Sequence, residues 1–489
     1  MSLIVILVLP LLAVLVSWTR TTSRAGPVFT LLTSIATLAV TLHVWARLLA
    51  GGRVVAISGW IEADGLSVLI LLMVSVVGLT ASIFSLGYVQ AVAHSRWKLR
   101  VYYANYNLFL FSMLAVPVLI QPNLVWTAVE LTTLFSVLLV SFENTHEALE
   151  AAWKYVVLTL MGAAIALFGF LILSWAYRSI GGRTYTWAGL AAAATTMNPL
   201  LLKVAFLMIL VGFGVKAGLV PLHTWLPDAH SQAPSPVCAL LSGVETTVVI
   251  YSILRLVPIM KAAPVLDAAN GALALGLLST GVASFLLLQV HDYKRLFAFS
   301  TVEHMGIVLT AVGLNSQDAY YGAMYQVLSH ALTKSFCFYA AGAALLVTGT
   351  RKISSVRGLI RRSPVAGTAL LAAALAIAGA PPFAVFLSEL FIFKAGLDAR
   401  RYIVTGMLAL FVAIAFCGIL LHINRMVFGR PIEEAHLEGA LKDNEELKTG
   451  CLPASCIVAL ALGGALILFL GMYLPAPVHT LLRMAALGQ

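Results

Sequence analysis

Apolar residues fall into runs of about 18 to 25 along the whole chain, each long enough to cross a hydrocarbon core ~30 Å thick as a helix. About fourteen such runs recur, at 2–18, 27–49, 66–90, 104–121, 123–142, 153–177, 199–219, 234–257, 271–290, 296–314, 320–348, 366–396, 402–427 and 454–474. Strands of a membrane barrel would be about ten residues long and alternate in polarity, and no such pattern is visible. The predicted fold class is all-α and integral to the membrane, with about 14 transmembrane helices. The run at 2–18 has no basic residue before it and no small-residue cleavage site, and Arg20 and Arg24 follow it. It therefore reads as a retained helix and not as a signal peptide. No further helix is expected after about residue 474, hence no long lateral helix. The longest polar stretch, 429–450, is too short for a domain and reads as a cytoplasmic loop in reach of a partner.

Two of the runs are interrupted by Gly and Pro. Residues 218–228, GLVPLHTWLPD, align without gaps to 379–389, GAPPFAVFLSE. The alignment matches Gly218 with Gly379, Pro221 with Pro382, Trp225 with Phe386 and Leu226 with Leu387. The segments lie about five helices apart, in the seventh and twelfth runs. Corresponding broken helices are the sequence sign of a repeated transporter unit, in which freed backbone groups line a polar cavity near the midplane. An offset of five helices, an odd number, would set two such units in inverted orientation.

Composition narrows the class further. Of 489 residues, 61% are hydrophobic and 10% charged, against about 25% charged in soluble domains. This excludes a soluble protein, a disordered one, a secreted disulfide scaffold and a nucleic-acid binder. The excess of 30 Lys+Arg over 20 Asp+Glu reflects basic residues crowded into loops on one side of the membrane. Arg96, Lys98, Arg100, Lys294, Arg295, Arg351, Lys352, Arg357, Arg361 and Arg362 fall on that side if the helices alternate. The bias predicts that these loops face the cytoplasm of a cell (plasma) membrane and that both termini lie outside. The cysteines at 238, 337, 417, 451 and 456 form no CxxC or Cys/His spacing, so no metal site is expected.

A charge at the bilayer centre costs about 2.5–3.5 kcal/mol or more. Glu130, Lys203, Lys216, Glu245, Glu303, Lys334 and Glu389 nevertheless fall inside the apolar runs, with His304 and His330 beside them. Lys216 precedes the first break and Glu130 lies in the middle of the fifth run. An ammonium and a carboxylate that desolvate each other can exchange a proton when their separation changes; the alternative is a static pair that fixes helix packing. His330 and Lys334 stand at i and i+4 with Gln326 on the same stripe, as a water wire would need or as a structural pair would. Glu389 follows the second break and is a candidate proton-accepting carboxylate. Lys394 lies nearer the helix end and reads as a snorkelling residue. Glu303 and His304 are adjacent, so at most one faces a given cavity; an ordinary histidine pKa of about 6.5 suits His304 to a relay. Glu245 is either a titrating site or the counter-charge of a neighbouring cation. No P-loop, dinucleotide fingerprint, haem motif or iron–sulfur cysteine set is present. The expected driving force is an ion gradient or a partner.

The blocks KAGLVPLHTWLPDAHSQAPSPVCALLSG (216–243), HDYKRLFAFSTVEHMG (291–306), HALTKSFCF (330–338) and GAPPFAVFLSELFIFKAG (379–396) resemble the antiporter-like membrane subunits of respiratory complex I. That group is related to the Mrp sodium/proton antiporters. The VEHMG and PPFAVFLSELFIF wording is most similar to hydrogenase-4 membrane component F, of the group 4 nickel–iron hydrogenases and formate hydrogenlyases. The resemblance covers nearly the whole chain. It implies fourteen helices in two inverted five-helix repeats, with broken helices 7 and 12. The organisation expected is 1–103 for helices 1–3, 104–257 for the first repeat, 258–428 for the second, and 429–489 for the cytoplasmic loop and final helix.

The resemblance also implies proton-transfer roles for Glu130, Lys216, His330, Lys334 and Glu389, the last as exit group. Lys203, Glu245, Thr247, Glu303 and His304 are second-tier candidates. Many members carry Lys or His where this chain has Thr247, and Glu245, two residues away, faces about 200° around a regular helix. The function implied is proton translocation in a membrane-bound oxidoreductase of hydrogenase-4 or NADH:quinone oxidoreductase type. Iron–sulfur, nickel–iron or flavin groups are expected only in partner membrane and peripheral subunits, with no cofactor or metal in this chain. The alternatives are an Mrp-type Na⁺/H⁺ antiporter subunit and a structural subunit that does not pump.

Overall fold

The computed structural model describes residues 1–18, 25–51, 53–93, 95–263, 267–430 and 452–488. The chain begins with α1 (Ser2–Trp18), α2 (Ala25–Gly51), the hairpin β1 (Val54–Ile57) and β2 (Ile61–Ala63), α3 (Gly65–Val92), α4 (Arg96–Val118), α5 (Pro122–Val140) and α6 (His146–Ser179). In and around the seventh and eighth runs lie α7 (Trp187–Ala193), α8 (Pro199–Lys216), α9 (Trp225–Gln232), α10 (Ser235–Leu240), a π-helical turn (Leu241–Glu245), α11 (Thr246–Leu254) and α12 (Val257–Ala262). Then follow α13 (Asp267–Leu287), α14 (Tyr293–Gly313), α15 (Gln317–Thr348), α16 (Leu359–Arg362), α17 (Pro364–Ile377), α18 (Ala384–Asp398), α19 (Tyr402–Phe428), α20 (Ala454–Met472) and α21 (Ala476–Leu487).

Among the described residues, twelve helices are long and apolar enough to cross a membrane, and Ser2–Trp18 and Pro364–Ile377 are shorter apolar helices. The protein is a multi-pass helical membrane protein. Its layering follows from where polar side chains can survive. An 18-residue stretch within Ser235–Ala262 is buried throughout and α14 nearly so, whereas α2, α6, α19 and α20 expose large apolar residues such as Leu32, Trp153, Phe168, Trp175, Leu410 and Phe469. A helix shielded from lipid can carry charge on any face, and a partly exposed one such as α5, α8 or α18 only on its inward face. Close packing of α6 on α8 runs through Gly162 and Gly212, where a Cβ on Gly212 would lie 2.4 Å from the Ala166 nitrogen. This is the small-residue contact expected where no hydrophobic drive exists between helices.

Three expectations are corrected or displaced, and some others fall outside the described residues. The hairpin β1–β2 pairs antiparallel and joins Leu119 through Ile61; its strands are far below membrane-spanning length, so a search for spanning runs passes over them. A further helix, α21, follows residue 474 and packs its buried Leu481, Leu482 and Ala485 against α3 and α15. Lys294 is not a free loop charge: it is buried, and its Nζ donates to the carbonyls of Ala233 at 2.5 Å and Ser231 at 3.2 Å. Its neighbour Arg295 pairs with Asp228 at 2.5 Å. Arg20, Arg24, Cys451 and all but the first two residues of the 429–450 loop lie outside the described residues.

Candidate functional site: a buried line of acids, bases and imidazoles

The two aligned segments fold into the same turn. Gly218 and Gly379 both sit at positive φ, +80° and +75°. In each, three successive N–H groups fold back by the same steps: Ala217 to Phe213, Gly218 to Val215 and Leu219 to Gly214, then Ala378 to Ala374, Gly379 to Ala376 and Ala380 to Leu375. Side chains reach the carbonyls at each break, where a buried backbone acceptor left unpaired would be costly. Trp225 Nε1 gives the Val215 carbonyl a second donor, at 2.8 Å, beside the Gly218 N–H. In the second break, the Ile377 carbonyl would ordinarily accept from residue 381, which is proline and has no N–H. His304 Nε2 meets it instead at 2.9 Å.

Lys216 ends α8 with its side chain fully buried. Its Nζ donates to the Val129 carbonyl at 2.6 Å and to Thr133 Oγ1, both on α5, and stands 3.8 Å from Glu245 Oε1. Glu245 Oε1 also accepts from Thr132 Oγ1 at 2.8 Å and Tyr155 Oη at 2.9 Å, while Oε2 is buried with no partner. Glu130 interacts electrostatically with both Lys216 and Glu245, and both its oxygens are buried without a hydrogen bond. The ion contact of Lys216 among the described residues is thus with Glu245, where the sequence expectation had put Glu130. The π turn ends at Glu245 and delivers its carboxylate to α8. The Thr247 hydroxyl donates to the Val244 carbonyl at 2.7 Å, within its own helix.

The second cluster lies between α14, α15 and α18. Gln326, His330 and Lys334 do form one stripe, and it faces α14. Lys334 Nζ donates to the Phe297 carbonyl at 2.6 Å and to Ser300 Oγ. The His330 and His304 rings lie 5.3 Å apart, and His330 Nε2 reaches the Ser242 carbonyl at 3.2 Å. Gln326 Nε2 meets His304 Nδ1 at 2.7 Å, and its Oε1 accepts from Ser388 Oγ at 2.5 Å. The next residue, Glu389, is 5% exposed and lies against the Cα of Gly379. Glu303 is buried, interacts electrostatically with Lys334 and Glu389, and diverges from His304 as helical neighbours must. Lys203 is half-buried on α8, and Lys394 is exposed and pairs with Asp398 at 2.7 Å.

Sequence reasoning did not single out the hydroxyls that solvate these charges, namely Thr132, Thr133, Tyr155, Ser300 and Ser388. One signal was available: Thr132, Thr133 and Ser388 lie within three residues of a buried glutamate in an otherwise apolar run.

Fold and site together define a multi-pass membrane protein with two broken helices and an interior line of acid, amine and imidazole groups. A family model described as NADH:quinone oxidoreductase/Mrp antiporter, transmembrane, matches residues 123–416, and the chain belongs to this family. It is an antiporter-like membrane subunit of the superfamily that includes complex I, hydrogenase-4 and Mrp subunits. It is 37% identical over 376 residues to a hydrogenase-4 component F homolog of Methylacidiphilum infernorum, covering 75% of this chain and 79% of that protein. It is 28% identical over 443 residues to NADH-quinone oxidoreductase subunit N of Desulforudis audaxviator, 85% and 84% of the two chains. A chain of the Mrp complex from Dietzia sp. has the same fold, with a TM-score of 0.85 at 21% identity over 99% of this chain and 96% of that one.

Proposed function

We propose that the chain translocates protons within a membrane-bound oxidoreductase of hydrogenase-4 or complex I type, its partner subunits supplying the redox chemistry. In this reading Glu130 and Lys216 take up the proton, His330 and Lys334 carry it across, and Glu389 releases it. The two broken-helix units form inverted repeats within a fourteen-helix bundle in the cell membrane, both termini outside.

One observation carries the reading, a continuous set of contacts from the π turn to the second break. It runs from the Ser242 carbonyl to His330, to His304, to Gln326, to Ser388 beside Glu389. Carbonyl oxygens only accept, so His304 and His330 both carry their proton on Nε2 toward Ile377 and Ser242. His304 Nδ1 then accepts from the Gln326 amide, and His330 Nδ1 is left as a buried lone pair without a partner. The bare Nδ1 of His330 is the nitrogen open to take up a proton and give it back, since Nε2 of both rings faces a carbonyl that cannot accept one and His304 Nδ1 holds the Gln326 amide. Gln326 does not itself titrate; it fixes the His304 tautomer and ties it to the helix that bears Glu389.

The test uses the native complex, purified gently, its subunits identified by mass spectrometry, and reconstituted into vesicles. Gln326→Leu is expected to lower proton translocation at least tenfold while partner electron transfer continues. Translocation at the wild-type level would contradict the relay. Copurification with nickel–iron or quinone-reductase subunits is the expected composition, whereas small cation-antiporter subunits alone would turn the reading to Na⁺/H⁺ exchange.

A further inference from the structure

Two carboxylates flank Lys216, and only one was expected there. Glu245 is 1% exposed and lies on the turn that joins α10 to α11. The groups around it are Thr132 and Glu130 from α5, Tyr155 from α6 and Lys216 from α8. Tyr155 is itself held by Ser136 at 2.7 Å. The two oxygens of Glu245 are unlike: Oε1 takes two hydroxyl donors and faces the ammonium, while Oε2 is buried and bare. Both oxygens of Glu130 are bare as well. Fully ionised, two carboxylates and one ammonium would leave an uncompensated negative charge in a buried site, a state that buried groups avoid by taking up a proton. One proton added to the ionised set would remove that charge, and Glu130, Lys216 and Glu245 are the three groups of the cluster that could share it.

We infer that Glu245 is a second proton-exchanging carboxylate of the Lys216 site, making the buried cluster an acid–amine–acid triad in which Lys216 alternates between Glu130 and Glu245. The inference rests on the proton-transfer reading above. When the lysine closes the 3.8 Å gap, an N–H bond of the ammonium breaks and an O–H bond forms on Glu245. A neutral amine and a carboxylic acid result, with no change in electrons. Glu130 can then reload the amine. Glu245 also stands at the end of the π turn whose Ser242 carbonyl receives His330, so the acid joins the first cluster to the second. Single π turns of this kind recur at functional sites.

Glu245→Gln is the discriminating variant, because glutamine keeps an acceptor for Thr132 and Tyr155 but cannot exchange a proton. In the reconstituted complex it is expected to lower translocation at least tenfold with electron transfer retained. If Lys216→Ala abolishes translocation and Glu245→Gln keeps more than half of it, Glu245 is structural and the inference falls while the proton-transfer reading stands. If Lys216→Ala translocates normally, both fall. An infrared measurement on the detergent-solubilised full chain is independent of pumping. A deuterium-sensitive carboxylic C=O band is expected to be lost in Glu245→Gln and shifted in Glu245→Asp, which retains the acid; a band unmoved in Glu245→Asp overturns the inference.

Discussion

Gly379 shows how much one residue decides in this interior. Its φ of +75° is open to glycine at little cost, whereas an L-residue there pays about 1–2 kcal/mol. An added Cβ would also fall 2.4 Å from Glu389 Oε2. Gly379→Ala is therefore expected to lower the thermal midpoint of the purified protein and to displace the Glu389 carboxylate. Gly406→Ala, where nothing lies within 4 Å of the added carbon and alanine favours the helix, should leave the midpoint unchanged or raise it, and equal midpoints for the two variants would refute the argument. The glycines and the interior charges were legible in the sequence because each is an exception to an apolar background. The hydroxyls that solvate the charges were not, since Ser and Thr are ordinary in membrane helices and bond their own backbone by default. Only the fold distinguishes Ser388, bonded to Gln326, from Ser17, bonded to its own helix.

At the scale of elements, the chain is held at one end by a fork between helices far apart in sequence. Asp64 is the N-cap of α3 and accepts from the Ser67 N–H at 3.0 Å. Arg255, at the end of α11, donates to both Asp64 oxygens, with Nη2 at 2.7 Å from Oδ1, and to Ser67 Oγ. Burial works against the Asp64 charge, but the Arg255 guanidinium and the Ser67 N–H prevail and hold its carboxyl below the ordinary value. A carboxylate depressed in this way contributes stability above its unfolded pKa of about 3.9. That contribution is lost as pH falls through the lower folded value. Asp64→Asn is expected to destabilise the protein by about 3–5 kcal/mol, the cost of stranding a buried partner, and to flatten the fall of the thermal midpoint on acidification below about pH 4. An unchanged midpoint and acid profile would show that the fork holds nothing. This contact was invisible in the sequence, because 191 residues separate its partners. The broken helices, by contrast, were legible from Gly and Pro alone. The hairpin and α21 were missed because they are too short to span a membrane.

At the scale of the whole molecule, the arrangement separates two solvents. Outward faces present Leu, Phe and Trp to lipid, and inward faces carry Lys216, Glu245, His304, His330 and Lys334, each almost completely shielded. The all-α membrane class and the family could be read from hydropathy runs and sequence blocks. The pairing inside the site could not, because helical spacing places a side chain on a face but does not say which neighbour meets it. The central claim is that the interior line moves protons, and Lys216 is where the first cluster converges. The most direct test measures proton translocation and electron transfer side by side in vesicles that hold the native complex with Lys216→Ala. The account predicts that translocation is lost while electron transfer persists in part. Translocation at the wild-type rate and stoichiometry would contradict it.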